Sequence, residues 1–174
     1  MKTAILYSTH FGYTGEAALA LKEALKKPAK VIPFDNLNPP KIEEYDTIVL
    51  GSSIRMGLIN PDFRSWLEKN KLELASKRIA LFLACGFPKD FNTYIQNNFP
   101  REIIESSIST VAIGGKLDGK MKWFDRLLVK LMKKQVEKSG GSPIVPTLSN
   151  FDDLVAALEN TEQKSPSIGA EPSV

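Results

Sequence analysis

The sequence predicts an α/β fold: a doubly wound, five-stranded parallel sheet with helices on both faces. Three observations carry this. Short apolar runs recur five times along the 174 residues, the first ending in small polar residues, as buried parallel strands do. Stretches with apolar residues at helical spacing alternate with them. The connections between runs are long enough to hold crossover helices, which parallel strands require.

Lys2–Ser8 (KTAILYS) reads as the first strand. Glu16–Lys27 follows with Ala17, Ala18, Leu21 and Leu25 at helical spacing, and Pro28 stops it. Lys30–Phe34 is a second, weaker strand. Tyr45–Gly51 (YDTIVLG) is the third, followed by a helix that Asn60 caps, Pro61 opens and about Asn70 ends. Arg78–Cys85 is the most hydrophobic strand, and Ser109–Gly114 is the fifth. A last helix falls near Asn150–Glu159, with Phe151, Leu154, Val155 and Leu158 at core spacing. Thr161–Val174 is rich in Pro, Gly and Ser and poor in aliphatics, so one folded domain over 1–160 and a disordered tail are expected.

Composition removes several classes of function. A lone cysteine, Cys85, excludes a disulfide framework and any Cys-rich zinc site, and a lone histidine, His10, excludes His-rich metal sites. Beside a ligand, Cys85 reads better as a small buried apolar residue than as a redox thiol. The longest apolar run, Ile79 to Cys85, is far shorter than the roughly 20 residues of a spanning helix. A cytoplasmic protein is therefore expected.

The formal charge of +3 is unevenly spread. Lys120–Lys138 holds seven Lys or Arg against Asp125 and Glu137, a net +5, which leaves −2 for the rest of the chain. At 100° per residue, Lys122, Arg126, Lys130, Lys133 and Lys134 share one arc, opposite Phe124, Leu127, Leu128 and Leu131. A basic helix over about 121–138 suits an anionic membrane surface, peripheral on its cytoplasmic face. It equally suits a sheet-packed helix with a solvated lysine face. Nucleic acid is not expected, because no recognition motif accompanies the charge.

Three loops could carry chemistry. Ser8-Thr9-His10-Phe11-Gly12-Tyr13-Thr14 leads from a strand into a helix, where backbone N–H groups and the helix dipole can hold a phosphate without Lys or Arg. An ordinary turn capped by Thr14 fits the same residues. Walker A and G-x-G-x-x-G loops are excluded there. Gly51-Ser52-Ser53-Ile54-Arg55-Met56-Gly57 ends the third strand; its small residues let backbone approach a planar ligand, and Arg55 adds a cation. Ala84-Cys85-Gly86-Phe87-Pro88 ends the fourth. The three would meet at one edge of the sheet. Gly114-x-x-x-x-Gly119-Lys120 has Walker A spacing, but Met121 stands where a magnesium-holding hydroxyl is needed.

Thr9-His10-Phe11-Gly12-Tyr13-Thr14 resembles the T-x-T-G-x-T phosphate loop of flavodoxins, departing at Phe11. Gly51–Gly57 and Trp123–Gly141 are similar to the G-x-S-I-R-x-G and W-[FY]-D-R…S-G-G stretches of the flavodoxin-like, menaquinone-dependent protoporphyrinogen IX dehydrogenases. The resemblance implies a sheet of order 2-1-3-4-5 and FMN as cofactor. It implies phosphate contacts at Thr9, His10, Gly12, Tyr13 and Thr14, with Ser8 and Phe11 also among the cofactor-binding residues. The isoalloxazine would lie between Ser53, Ile54, Arg55, Met56 and Gly57 on one side and Ala84, Cys85, Gly86, Phe87 and Pro88 on the other. No catalytic side chain and no metal ligand is implied. Electrons would pass from a tetrapyrrole or other small substrate through FMN to a quinone. Phe87–Ile108 is shorter than that branch leads one to expect and carries only Lys89 and Arg101 as cations. The alternative is a flavodoxin-type electron carrier, which the basic charge and Met56, in place of a stacking aromatic, disfavour.

Overall fold

A computed structural model describes residues 1–10, 12–85, 88–114 and 152–160. The basic segment 121–138, the Walker-like spacing beyond Gly114 (115–121) and the tail 161–174 lie outside the described residues.

Five strands form one parallel sheet: β1 (Thr3–Ser8), β2 (Ala29–Pro33), β3 (Thr47–Ser53), β4 (Arg78–Cys85) and β5 (Ser107–Gly114). Their order is β2-β1-β3-β4-β5 and every pairing is parallel, as the sequence predicts. The order reverses between β1 and β3, the position at which ligands bind beyond the carboxyl ends of such sheets.

Side chains alternate along each strand and sort into two cores. Ala4 and Leu6 of β1, Ile48 and Leu50 of β3, and Ile79, Leu81 and Leu83 of β4 face one way. They pack on α2 (Pro61–Lys69), α3 (Lys71–Ala75), α4 (Phe91–Asn98) and α5 (Arg101–Ser106) through residues such as Phe63, Leu67, Leu74, Ile95 and Ile103. Phe34, Phe63 and Trp66 add an aromatic cluster there, with ring centroids 5.0–6.0 Å apart. Ile5, Val49, Ala80, Phe82 and Ala84 face the other way, against α1 (Tyr13–Ala24) and α6 (Asp152–Glu159).

Several boundaries differ from the periodicity, each for a local reason. α1 starts at Tyr13 and ends where Leu25 turns extended, so it lies earlier than Glu16–Lys27. β3 runs two residues later than Tyr45–Gly51, because Ser52 and Ser53 still pair with Ser8 and Ala84. Residues 88–106, for which pattern predicts no element, hold a 3-10 turn and the short α4 and α5. The sheet-covering role expected of the last helix is met by α6: Leu154 and Leu158 are buried, and the Arg78 guanidinium donates to the carbonyls of Ala157, Leu158 and Asn160. A cation on these terminal carbonyls opposes the negative end of the helix dipole.

α2 is capped as its sequence predicts: Asn60 Oδ1 accepts from Asp62 N (2.9 Å) and Phe63 N (3.1 Å), and Pro61 opens the helix. Asn60→Ala is therefore expected to cost about 1 kcal/mol. Urea denaturation should show a lower midpoint at unchanged slope.

Candidate functional site

The carboxyl ends of β1, β3 and β4 are neighbours by register: Ser8 pairs with Ser52, and Ser53 with Ala84. Beyond the strands the loops are tied directly. His10 N donates to Ser53 Oγ (3.2 Å), and His10 Nδ1 lies 3.1 Å from the same hydroxyl. Ile54 N donates to the Ala84 carbonyl (3.0 Å). Two short links thus join the first loop to the second and the second to the third. The convergence that the sequence predicts is present. Of the nominated residues, Phe11, Gly86 and Phe87 lie outside the described residues, as does the side chain of Pro88.

The first loop ends in a helix start without a side-chain cap. The N-cap is Gly12, in left-handed backbone (φ 86°), and Thr14 sits inside the first turn of α1. This corrects the reading of Thr14 as the cap. A cap residue needs non-helical backbone, and the glycine takes that position. Thr9 Oγ1 accepts from Gly12 N (3.0 Å) and folds the loop back on itself. Thr14 is fully buried, and its Oγ1 has no hydrogen-bond partner among the described residues. Burial first, and the Glu16 carboxylate second, push the Tyr13 phenol above its ordinary pKa, so it stays a neutral O–H.

The second loop turns over Arg55–Leu58. Arg55 N donates to the Leu58 carbonyl (2.8 Å), and Leu58 N donates to the Arg55 carbonyl (3.1 Å). The central residues both have positive φ, 52° at Met56 and 84° at Gly57, the signature of a type I′ turn. Glycine accepts this backbone freely; methionine does not. The turn holds Met56 outward at 76% exposure, with Leu58 and Arg55 also exposed.

Gly51 does something other than admit a ligand. A Cβ there would lie 2.0 Å from Phe82 Cζ, so the missing side chain is filled by the Phe82 ring of the neighbouring strand. In the third loop, Ala84 and Cys85 are buried, Cys85 at 2% exposure, in keeping with the small apolar role expected of it.

A cleft of about 560 Å³ lies elsewhere, between α2 and the α4–α5 junction, lined by Arg64, Glu68, Lys69, Gln96, Phe99 and neighbours. None of the nominated residues lines it. Asn98, buried at the end of α4, hydrogen-bonds the exit of the second loop, a tie that sequence reasoning misses.

Residues 4–141 match the flavodoxin domain model. The protoporphyrinogen IX dehydrogenase [quinone] of Escherichia coli K12 is 32% identical over 152 residues, covering 81% of this chain and 82% of that protein. The Leishmania major protein of the same name is 26% identical over 144 residues, covering 76% of this chain and 62% of that one. Among solved structures, a flavodoxin from the domain Archaea superposes with TM-score 0.51 at 17% identity, covering 80% of this chain and 98% of that one. Two-electron reduced Megasphaera elsdenii flavodoxin gives 0.50 at 17%, covering 63% and 84%. The last two likenesses concern the fold.

Fold, loops and relatives define the class: an FMN-dependent oxidoreductase built on a doubly wound sheet. The chain belongs to the flavodoxin domain family.

The first loop fits the phosphate end of FMN on three counts. Gly12 N is taken by Thr9 Oγ1 and Gly15 N by the Gly12 carbonyl, which leaves the N–H groups of Tyr13 and Thr14, in the first turn of α1, without an intrahelical acceptor. The helix dipole favours an anion there, and no side chain occupies the cap. A buried, unpartnered hydroxyl costs about 1–3 kcal/mol, and a phosphate oxygen is the acceptor that would relieve it. Thr47 Oγ1 is also buried and unpartnered, but it sits at the first residue of β3, the opposite end of that strand, away from any of the three loops.

Proposed function

We propose that the protein oxidises a protoporphyrinogen-type tetrapyrrole and delivers the electrons to a quinone. The observation that carries this is the three-loop edge in a chain whose 32%-identical relative is named for that reaction and is matched over most of its length. FMN, when bound, supplies the hydride and one-electron chemistry.

The chain's own residues bind, orient and screen. Thr9, Tyr13 and Thr14 would hold the phosphate through hydroxyls and the N–H groups of the first turn, with Gly12 tied back to Thr9 Oγ1, Ser8 buried at the strand end and His10 clipped to Ser53. Phe11 is counted among the cofactor-binding residues by resemblance alone. Ser53–Gly57 and Ala84–Pro88 flank the ring, and the buried Cys85 gives it a dry, apolar neighbour. Arg55 brings a permanent cation to that edge, suited to charge on the reduced ring or to a substrate carboxylate. Met56 and Leu58 give the outer lip of the turn an apolar surface of the kind that quinones and tetrapyrroles present.

The test is anaerobic turnover of FMN-loaded protein with protoporphyrinogen IX as donor and a soluble menaquinone analogue as acceptor. Porphyrin fluorescence should rise in step with quinol formation. Reduction of partner electron-transfer proteins, with no porphyrin formed, would make the protein a flavodoxin-type carrier instead.

A further inference from the structure

Asn98 is the last residue of α4 and is 1% exposed. A buried amide is costly unless its donors and acceptors are used. Its Nδ2 donates to the Gly57 carbonyl (2.9 Å) and to the Tyr94 carbonyl (2.9 Å), while its Oδ1 accepts from Ile59 N (2.9 Å). Two of these three bonds reach about forty residues back along the chain, to either side of Leu58.

The turn they grip is not self-sufficient. Its Met56–Gly57 pair sits in left-handed backbone, which a non-glycine residue adopts only at a steric cost. Its tip is solvent-exposed, so packing contributes little to holding it. Its own cross-turn bonds fix Arg55 against Leu58 but leave the orientation of the Gly57 carbonyl to an outside donor. Asn98 is that donor, and by fixing Ile59 N–H as well it anchors the exit of the turn to the core.

We infer that Asn98 is a positioning residue for the flavin: through Gly57 and Ile59 it holds the Arg55–Leu58 turn in the shape that meets the isoalloxazine ring. The inference rests on the reading that this turn faces the ring. α4 therefore contributes to the cofactor site from a segment in which sequence patterning shows no element.

Two variants test it. Asn98→Asp keeps the size and the acceptor for Ile59 N–H but sets a second oxygen against the Gly57 and Tyr94 carbonyls. Asn98→Ala removes the clamp without burying a charge. FMN affinity of the apoprotein is read by quenching of flavin fluorescence, and the midpoint potential of bound FMN by redox titration. Both variants should bind FMN about tenfold more weakly, the scale of one hydrogen-bonded loop contact. The potential of the flavin that remains bound should move, which a loss of general stability does not produce. Unchanged affinity and potential in a folded variant overturn the inference. Failure of both variants to fold assigns Asn98 to the fold alone and overturns it too. Failure of the unsubstituted chain to bind FMN strikes instead at the cofactor assignment beneath it.

Discussion

Gly51→Ala is expected to destabilise the protein by about 3 kcal/mol, the upper end of what over-packing a core costs. The new Cβ would stand 2.0, 2.4 and 2.7 Å from three atoms of the Phe82 ring. The ring cannot swing aside cheaply: it is wholly buried, on the face covered by α1 and α6, among Val49, Ala80, Ala84 and Ile113. Gly51 and Phe82 are register partners on adjacent central strands, so neither backbone can retreat without breaking the ladder. For a domain whose total stability is of order 5–15 kcal/mol, the loss is large. Phe82→Leu alone leaves a cavity and should also destabilise. In combination, the smaller side chain makes room for the new methyl, so the double variant should be at least about 1 kcal/mol more stable than the summed single effects. Urea denaturation of the four proteins measures this. Strict additivity would mean that the ring does not fill the glycine's place.

The Gly51–Phe82 pair also marks where the sequence stops being readable. Strand existence and order are legible because β1, β3 and β4 are apolar on both faces, as only strands covered twice can be. The loops are legible because each follows an identifiable strand. A glycine beside two serines at a strand end gives no sign, however, that its empty face is taken by an aromatic on the next strand, thirty-one positions later in the chain. Asn98 is hidden for a similar reason: one asparagine in the polar run Gln96-Asn97-Asn98 carries no periodic signal, and its partners are distant backbone groups. α4 and α5 are short and parted by Pro100, so neither sustains a helical repeat long enough to rise above its neighbours. The I′ turn is disguised by Met56 at a position where Asn or Gly would advertise it. Thr14 is legible as important and misread in its role, since the choice between cap and first-turn residue depends on the backbone of Gly12.

Thr14→Val is expected to move two measurements in opposite directions. The substitution keeps the branched shape and removes a buried hydroxyl that has no partner among the described residues. The apoprotein should therefore gain about 1 kcal/mol, seen as a higher urea midpoint, because an unsatisfied buried polar group no longer opposes folding. Affinity for FMN should fall about 10- to 100-fold, since a hydrogen bond to a charged oxygen contributes roughly 1.5–3 kcal/mol. Riboflavin, which has the ring but no phosphate, should bind both proteins alike if it binds at all. Gly12→Ala provides the contrast: its Cβ would meet nothing within 4 Å, so its cost is the left-handed φ of 86° alone, and apoprotein stability should fall rather than rise. A valine that stabilises the apoprotein and leaves FMN affinity intact would show that the hydroxyl does not face the phosphate. A valine that stabilises the empty chain while weakening FMN ties the unused hydroxyl to the ligand, because neither general damage nor general repacking shifts the two in opposite senses.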